Sequence, residues 1–265
     1  MEQTQQQVQQ AQPTQPQYQF PTEEVTLPSK GLLYPEGSLL KSGKVTMKYM
    51  TAKEEDILTN QNYIKNGTVI DKVLESIIID KIDLDSILVG DKNALLVAAR
   101  ILGYGSEYNF NYPHPESGEN EEVSVDLTEA EDKFFDVSKM INGKNEFEFE
   151  LPISKINLTF KMLTQGDDKK IEQELKGLKK INKNSSPQLT TRLKHTILSV
   201  NGDYSTKTVR EFIDTAFLAR DAKALRNYIS SIMPDADLSF DLEFEDGHIE
   251  DNVTIPLGAN FFWPD

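Results

Sequence analysis

The chain has 265 residues, no cysteine and a formal net charge of −15 at neutral pH. Without cysteine, neither disulfides nor thiolate zinc sites can hold the fold, and the acidic charge argues against a general nucleic-acid surface, because neutralising phosphates takes clustered basic residues. No run of about 18 apolar residues predicts a membrane helix and no secretory signal pattern is present, so we expect a cytoplasmic protein that does not bind membranes.

The N-terminal segment is rich in glutamine and contains Pro13 and Pro16 but almost no large aliphatic residues. Such a segment buries too little apolar surface to offset the entropy that is lost on ordering. We therefore predict a disordered tail over residues 1–22.

An apolar loop at residues 31–37 follows the first predicted strand. It contains Leu32, Leu33 and Tyr34. These side chains either fold back onto the core or are presented to a partner, and the sequence leaves both alternatives open.

The next stretch, Lys44 to Leu58, combines a strand with a helix start. Val45 and Met47 alternate with polar residues, which is typical of a strand with one buried face. Thr51 and Glu54 have the spacing of a capping box, in which each side chain satisfies a free N–H group at a helix start.

A degenerate copy of this stretch returns at residues 156–175, with Thr164 and Asp167 in the capping positions. Further landmarks recur in the same order on both sides. Upstream, Leu27-Pro28 is echoed by Leu151-Pro152; downstream, Asp91 is echoed by Asp221, and each Asp is predicted to cap a helix.

We interpret the chain as an α+β protein of two pseudo-repeated units. Each unit is predicted to be a β-hairpin that leads into several helices and a second β-hairpin. The predicted units are residues 23–130 and 146–265, joined by a linker over residues 131–145.

In the second unit, Ser186-Pro187 predicts the start of a helix and Asn201-Gly202 its end. The predicted buried stripe of this helix is Leu189, Leu193, Ile197 and Val200.

The sequence offers little chemistry. The turn from His114 to Gly118 has the spacing of a metal knuckle, but one imidazole and Ser117 do not supply the four N or S donors that zinc prefers. None of the usual hydrolase or phosphate-binding motifs is present. We therefore predict no catalytic, cofactor or metal site, no small-molecule substrate and a non-enzymatic protein.

The basic helix predicted between Lys169 and Lys183 is the one basic patch in the sequence. It lacks the interleaved aromatic residues on which bases stack. A nucleic-acid-associated adaptor that uses this helix is the alternative function, and a solvated lysine-rich face is the plainer interpretation.

The chain closes with Phe261, Phe262 and Trp263. Aromatic side chains bury large areas when they pack. They are therefore expected either to dock on the core or to anchor a neighbouring subunit.

Several of these motifs together resemble one protein family, the T-even-type bacteriophage baseplate proteins, whose members serve in assembling the central hub of a contractile tail. Family members often carry a Cys-Pro-x-Cys-Gly knuckle where this chain has His114-Pro-Glu-Ser117-Gly118. The motifs that carry the resemblance are Leu27-Pro-Ser-Lys-Gly31 with Tyr34-Pro35, Val45-Thr-Met-Lys-Tyr-Met-Thr-Ala-Lys-Glu-Glu-Asp-Ile-Leu58, Gly67, Gly90-Asp91, Arg100, Tyr104-Gly105 and Phe261-Phe-Trp-Pro264.

The resemblance implies a non-enzymatic tail protein that binds other hub or tail subunits, either as a structural component or as an assembly chaperone. It places the protein in the host cytoplasm during assembly and, if it is retained, in the virion. Its oligomeric state is left open. The residues expected to contact partners are Leu32, Leu33, Tyr34, Phe261, Phe262 and Trp263.

Overall fold

Helices and small antiparallel sheets share one core in the computed structural model, which is α+β as the sequence predicts. The structure describes residues 20–262 except positions 134–135, 142, 182–186, 256 and 258. Nearly all of the predicted tail therefore lies outside the described residues. None of the described helices is long and apolar enough to cross a membrane.

The strands are short and every pairing between them is antiparallel. They are β1 (Thr22–Thr26), β2 (Lys44–Lys48), β3 (Glu107–Pro113), β4 (Asn120–Asp126), β5 (Glu131–Asp132), β6 (Phe147–Glu150), β7 (Asn157–Phe160), β8 (Ile197–Val200), β9 (Ala236–Asp237), β10 (Ser239–Glu243) and β11 (Ile249–Thr254). Among the described residues the sheets are β1-β2, β3-β4, β5-β9, β6-β7-β8 and β10-β11.

The helices lie between these hairpins. They are α1 (Ala52–Leu58), α2 (Gln61–Asn66), α3 (Val69–Ile77), α4 (Val89–Tyr104), α5 (Gln165–Ile181), α6 (Gln188–Thr196), α7 (Thr206–Thr215) and α8 (Ala219–Ile232).

Both predicted capping boxes are present where a strand passes into a helix. The Thr51 N–H and hydroxyl donate to Glu54 Oε2 at 2.8 and 2.6 Å. The Thr164 N–H donates to Asp167 Oδ2 at 3.1 Å, and the Asp167 N–H donates back to Thr164 Oγ1 at 3.3 Å. These local contacts satisfy the free donors at the starts of α1 and α5.

The helix predicted from Pro187 to Asn201 is wrong in its second half. It ends at Thr196, and Ile197 begins strand β8, which pairs with β7. Ser199 then donates its hydroxyl hydrogen to Thr159 Oγ1 at 2.8 Å across the sheet. The helical spacing of the apolar residues was misleading because a third strand covers the edge of β7 better than another helical turn would.

The two halves of the chain meet where α4 and α5 begin. The Val89 N–H donates to the Leu163 carbonyl at 3.0 Å, and the Gln165 N–H donates to the Ile87 carbonyl at 2.8 Å. The approach is close enough that a Cβ on Gly90 would lie 1.9 Å from the Pro234 carbonyl oxygen. We refer to this region as the seam.

The start of the predicted linker, β5, pairs with β9. The linker thus begins with hydrogen bonds to the second half. The unit boundaries and the duplication remain predictions.

Candidate partner-binding surface

The apolar loop at residues 31–37 folds back onto the core, which was one of the two alternatives. Leu33 and Tyr34 are buried, and Leu32 is half-buried. The Tyr34 hydroxyl donates to Asp91 Oδ2 at 2.6 Å and accepts a hydrogen bond from the Leu88 N–H at 3.0 Å. Burial, and then the neighbouring Asp91 charge, raise the pKa of Tyr34 above its usual value.

Asp91 is the centre of a buried hydrogen-bond network that we call the Asp91 network, formed with Ser29 and Tyr34. The Ser29 N–H and hydroxyl donate to its two carboxylate oxygens at 2.9 and 2.6 Å. Burial raises the pKa of Asp91, and these hydrogen bonds oppose the rise. The carboxylate was predicted to cap a helix, but it lies in the first turn of α4 and holds the opening loop instead.

Asp221 forms a matching contact set in the second half, the Asp221 network. It lies in the first turn of α8, and its carboxylate accepts from the N–H groups of Ile153 and Ser154 at 2.8 and 3.0 Å. Burial favours the neutral acid, but these two N–H groups hold the pKa of Asp221 below its usual value. The prediction of a helix cap is again wrong, because the carboxylate binds the loop after β6.

The aromatic residues near the end of the described chain also pack inside. Phe261 and Phe262 are buried, and the Phe261 ring lies 5.1 Å from the Tyr108 ring. Trp263 lies outside the described residues. The structure thus places Leu33, Tyr34 and these two phenylalanines in the core, and partner binding by the predicted set stays a prediction.

The turn after β3 is organised around a buried imidazole. His114 Nδ1 accepts hydrogen bonds from the N–H groups of Glu116 and Ser117 at 3.2 and 3.3 Å. Its Nε2 atom lies 3.4 Å from Asp246 Oδ2 in the turn of the last hairpin. Within the described part of the chain, no three His, Cys, Asp or Glu side chains are grouped so that they could hold a metal ion.

Three of the five lysines of α5 form ion pairs with acidic residues among the described residues of the same chain. Lys169 lies 3.2 Å from Asp71 and 2.6 Å from Asp85, and Lys176 lies 3.4 Å from Glu172. Lys183 lies outside the described residues. Charges that are already paired attract phosphates less, and this disfavours the nucleic-acid alternative without testing it.

An apolar groove lies between α6 and α8, beside the seam. We call it the α6–α8 groove; it encloses about 240 Å³. Its lining residues come from the start of α4, the segment after β7 and the two helices, and they are Val89, Lys161, Met162, Leu163, Leu189, Arg192, Leu193, Thr196, Arg226, Ile229, Ser230 and Met233.

Two arginines, Arg192 and Arg226, line this groove. Arg192 forms an ion pair with Asp168 at 3.0 Å. Arg226 is exposed and has neither an ion pair nor a hydrogen bond within the described part of the chain. An unpaired guanidinium beside an apolar wall can bind a carboxylate through two parallel hydrogen bonds.

Leu189 separates this groove from a second concavity of about 530 Å³, which Ile171, Leu175 and Arg192 also line. Sequence reasoning placed Leu189 in a buried stripe, but its side chain is 46% exposed. It missed the groove because α6 is shorter than predicted and because no motif marks Arg226. Leu189 lines both concavities, and an exposed apolar residue that is part of a contiguous apolar groove marks an interaction surface.

The family model described as "T4 bacteriophage base plate protein" matches residues 22–263. The match covers most of the chain, so the chain belongs to this family of bacteriophage baseplate proteins, as the resemblance implied. No curated protein and no solved structure shows significant similarity to the chain.

Proposed function

We propose that this baseplate protein is a non-enzymatic subunit that binds other tail proteins while the baseplate hub is assembled, and that it does so through the α6–α8 groove. The observation that carries the proposal is the groove itself. It joins an apolar wall, the exposed Leu189 and the unpaired Arg226. The family supports a role in the baseplate, and the groove supports recognition of a partner.

The chemistry of the groove defines the partner segment that fits it. Apolar side chains of the partner would cover Leu189, Leu193 and Ile229, because removing apolar surface from water favours association. A partner carboxylate would pair with Arg226. Arginines in such positions are frequent hot spots of protein–protein interfaces. The partner segment is therefore apolar with an adjacent acidic residue.

The test is complementation of a phage that lacks this protein, with complete baseplates counted by negative-stain electron microscopy. The variants are Leu189→Asp, which puts a charge on the apolar wall, and Arg226→Glu, which repels the carboxylate. We expect each variant to lower the yield at least tenfold, since about 1.4 kcal/mol of lost binding corresponds to a factor of ten.

Two matched variants control for effects outside the groove. Leu39→Asp makes the same change at an exposed leucine in the first half, and Lys223→Glu reverses a charge three residues before Arg226 on α8. Both controls should assemble normally. Normal yields from the two groove variants, with unchanged circular dichroism, would show that the interface lies elsewhere.

Two roles in hub assembly remain, and they predict different particle compositions. A structural subunit is retained at a fixed small copy number, whereas an assembly chaperone is abundant in the lysate and absent from the particle. Quantitative mass spectrometry of purified particles and crude lysate, with the major tail proteins as internal standards, separates them.

A further inference from the structure

A polar pocket of about 340 Å³ lies at the seam, where the start of α3 faces α5. Thr68, Asp71, Val89, Lys92, Gln165 and Lys169 are among its lining residues. Its volume is at the lower end of the range of ligand pockets and is too large for a single bridging water molecule. We call it the seam pocket.

Gln165 is the unusual side chain of the seam pocket. It is 97% buried, since only 3% of it is exposed, yet neither its Nε2 nor its Oε1 atom has a hydrogen-bond partner in the described part of the chain. Buried polar side-chain atoms are nearly always hydrogen-bonded, because an unpaired one loses its hydration without compensation. A carboxamide has donors beside an acceptor, and its natural complement is another amide group.

The start of α3 also lines this pocket. Thr68 precedes this nine-residue helix and lines the pocket, but its side chain does not cap the helix. The first N–H groups of a helix have no partners within the helix. They can therefore receive carbonyl oxygens from a ligand, which again suits an amide-bearing molecule.

The charges around the pocket are already balanced. Lys92 lies 2.8 Å and Lys169 lies 3.2 Å from the carboxylate of Asp71. Lys169 also contacts Asp85 at 2.6 Å. An ionic ligand would have to compete with these pairs, so the pocket favours a neutral polar ligand.

We propose that the seam pocket binds a neutral, carboxamide-bearing polypeptide segment, and that its occupant is the glutamine-rich segment at residues 1–19 of the same chain. Residues 3–19 contain ten glutamines and no charged residue. One of these carboxamides pairs with Gln165, and carbonyl groups of the segment accept from the start of α3. This proposal does not depend on the role in hub assembly.

The described chain begins close enough to α3 for this contact. The Phe20 ring lies 5.3 Å from Lys48 Nζ, Lys48 donates to Glu54, and Ser76 on α3 donates to the same carboxylate. The pocket is at the other end of α3, and nine helical residues span about 14 Å. Nineteen residues can extend over roughly 60 Å, so the segment is long enough.

The test uses the full chain and paramagnetic relaxation enhancement. Because the chain has no cysteine, a Thr14→Cys substitution provides a single site for a nitroxide spin label. We expect at least a twofold loss of the NMR methyl signals of Val69 at the start of α3 and of Val89. The Val253 methyl signals in β11 serve as the remote reference.

A matched pair of substitutions shows whether the carboxamide is responsible. Gln165→Met keeps the shape of the side chain but removes the amide, and it should restore the Val69 and Val89 signals. Gln173→Met makes the same change at an exposed glutamine of α5 that lines the same pocket, and it should leave the signal loss in place. Methyl spectra of both variants without the spin label, if they match that of the parent chain, show that both remain folded.

Three outcomes would overturn the proposal. The first is undiminished Val69 and Val89 signals in the labelled parent chain. The second is a signal loss that Gln165→Met does not reverse. The third is a signal loss that persists when the spin label and the isotope label are carried by different copies in a mixed sample, because the segment would then come from a second copy.

Discussion

Asp91 in α4 and Asp221 in α8 each bind a loop that opens one half of the chain, but the two carboxylates are covered differently. Asp91 accepts from the N–H and hydroxyl groups of Ser29 and from the hydroxyl of Tyr34. Tyr34 belongs to the apolar loop at residues 31–37, which we call the additional loop. Asp221 accepts from the N–H groups of Ile153 and Ser154, and the second half has no such loop.

The residues next to the two networks show the consequence. Leu88, before α4, is buried and forms an isolated β-bridge with Thr164 at the seam. Leu218, in the same position before α8, is 46% exposed, and so is Ile153. Both carboxylates are fully buried, but the additional loop also buries the residues around Asp91, whereas the loop that binds Asp221 is itself partly exposed.

The largest difference is expected when each carboxylate is removed. Asp91→Ala leaves two hydroxyl groups and one N–H group unpaired in the core and should lower the free energy of unfolding by about 4 kcal/mol. Asp221→Ala leaves two N–H groups unpaired, on the exposed Ile153 and the half-buried Ser154, and should lower it by about 2 kcal/mol. Urea denaturation monitored by circular dichroism measures both.

Equal losses in the two variants would mean that the additional loop does not strengthen the Asp91 network. Asp251→Ala, at an exposed position of β11, is the control and should change the free energy of unfolding by less than about 0.5 kcal/mol.

The capping boxes and the recurring Asp residues were predictable from the sequence, but the partners of these Asp residues were not. Both capping boxes join residues three apart, so spacing alone identifies them. The recurring Asp residues were recognised, yet their partners Ser29 and Ile153 lie more than sixty residues away. A carboxylate in the first turn of a helix serves equally as a cap or as a tertiary acceptor, and only the fold decides which.

The candidate site was predictable to a smaller extent. Apolar residues that were predicted to contact partners, such as Tyr34 and Phe261, are instead buried in the core. Arg226 and Gln165 belong to no sequence motif. Arg226 is notable because it has no ion pair among the described residues, and Gln165 because its buried carboxamide has no hydrogen-bond partner there. Both properties depend on the fold.

The hydroxyl of Tyr34 isolates the contribution of the additional loop. Tyr34→Phe keeps the ring in the core but removes the donor to Asp91 and the acceptor for the Leu88 N–H. We expect a loss of about 2 kcal/mol in the free energy of unfolding, because one of the two bonds is to a carboxyl group. Tyr204→Phe, at an exposed tyrosine, should cause no measurable loss, and a similar loss in both variants would contradict this account.

The two carboxylates should also respond oppositely to pH, with a smaller effect. The native pKa of Asp91 is raised by burial, so the native state holds its proton more tightly, and stability from this group increases as the pH falls through the native pKa toward about 4. The native pKa of Asp221 is lowered by its N–H donors despite burial. Its contribution is therefore complete above about pH 4 and is lost below that pH.

Stability measured against pH for the wild type, Asp91→Asn and Asp221→Asn isolates these contributions. The difference between wild type and Asp91→Asn should grow in favour of the wild type on acidification. The difference for Asp221→Asn should stay constant down to about pH 4 and then shrink. Parallel curves for the two variants would show that the two environments do not differ electrostatically.

The smallest effect is expected where the two loops are most alike. Lys30 and Lys155 both have positive φ, at 50° and 58°, and each donates its N–H to the leucine that begins its loop, Leu27 or Leu151. A left-handed backbone is unfavourable for lysine by about 1–2 kcal/mol, whereas glycine adopts it freely but loses more entropy on folding. Lys30→Gly and Lys155→Gly should therefore each raise the free energy of unfolding by about 0.5 kcal/mol. Lys170→Gly, in the helical interior of α5, is the control and should lower it by about 1 kcal/mol. Urea denaturation measures all three. Stabilisation by only one of the two substitutions would show that the backbone conformations at Lys30 and Lys155 are not equivalent. The match between the Asp91 and Asp221 networks would then be limited to the carboxylates themselves.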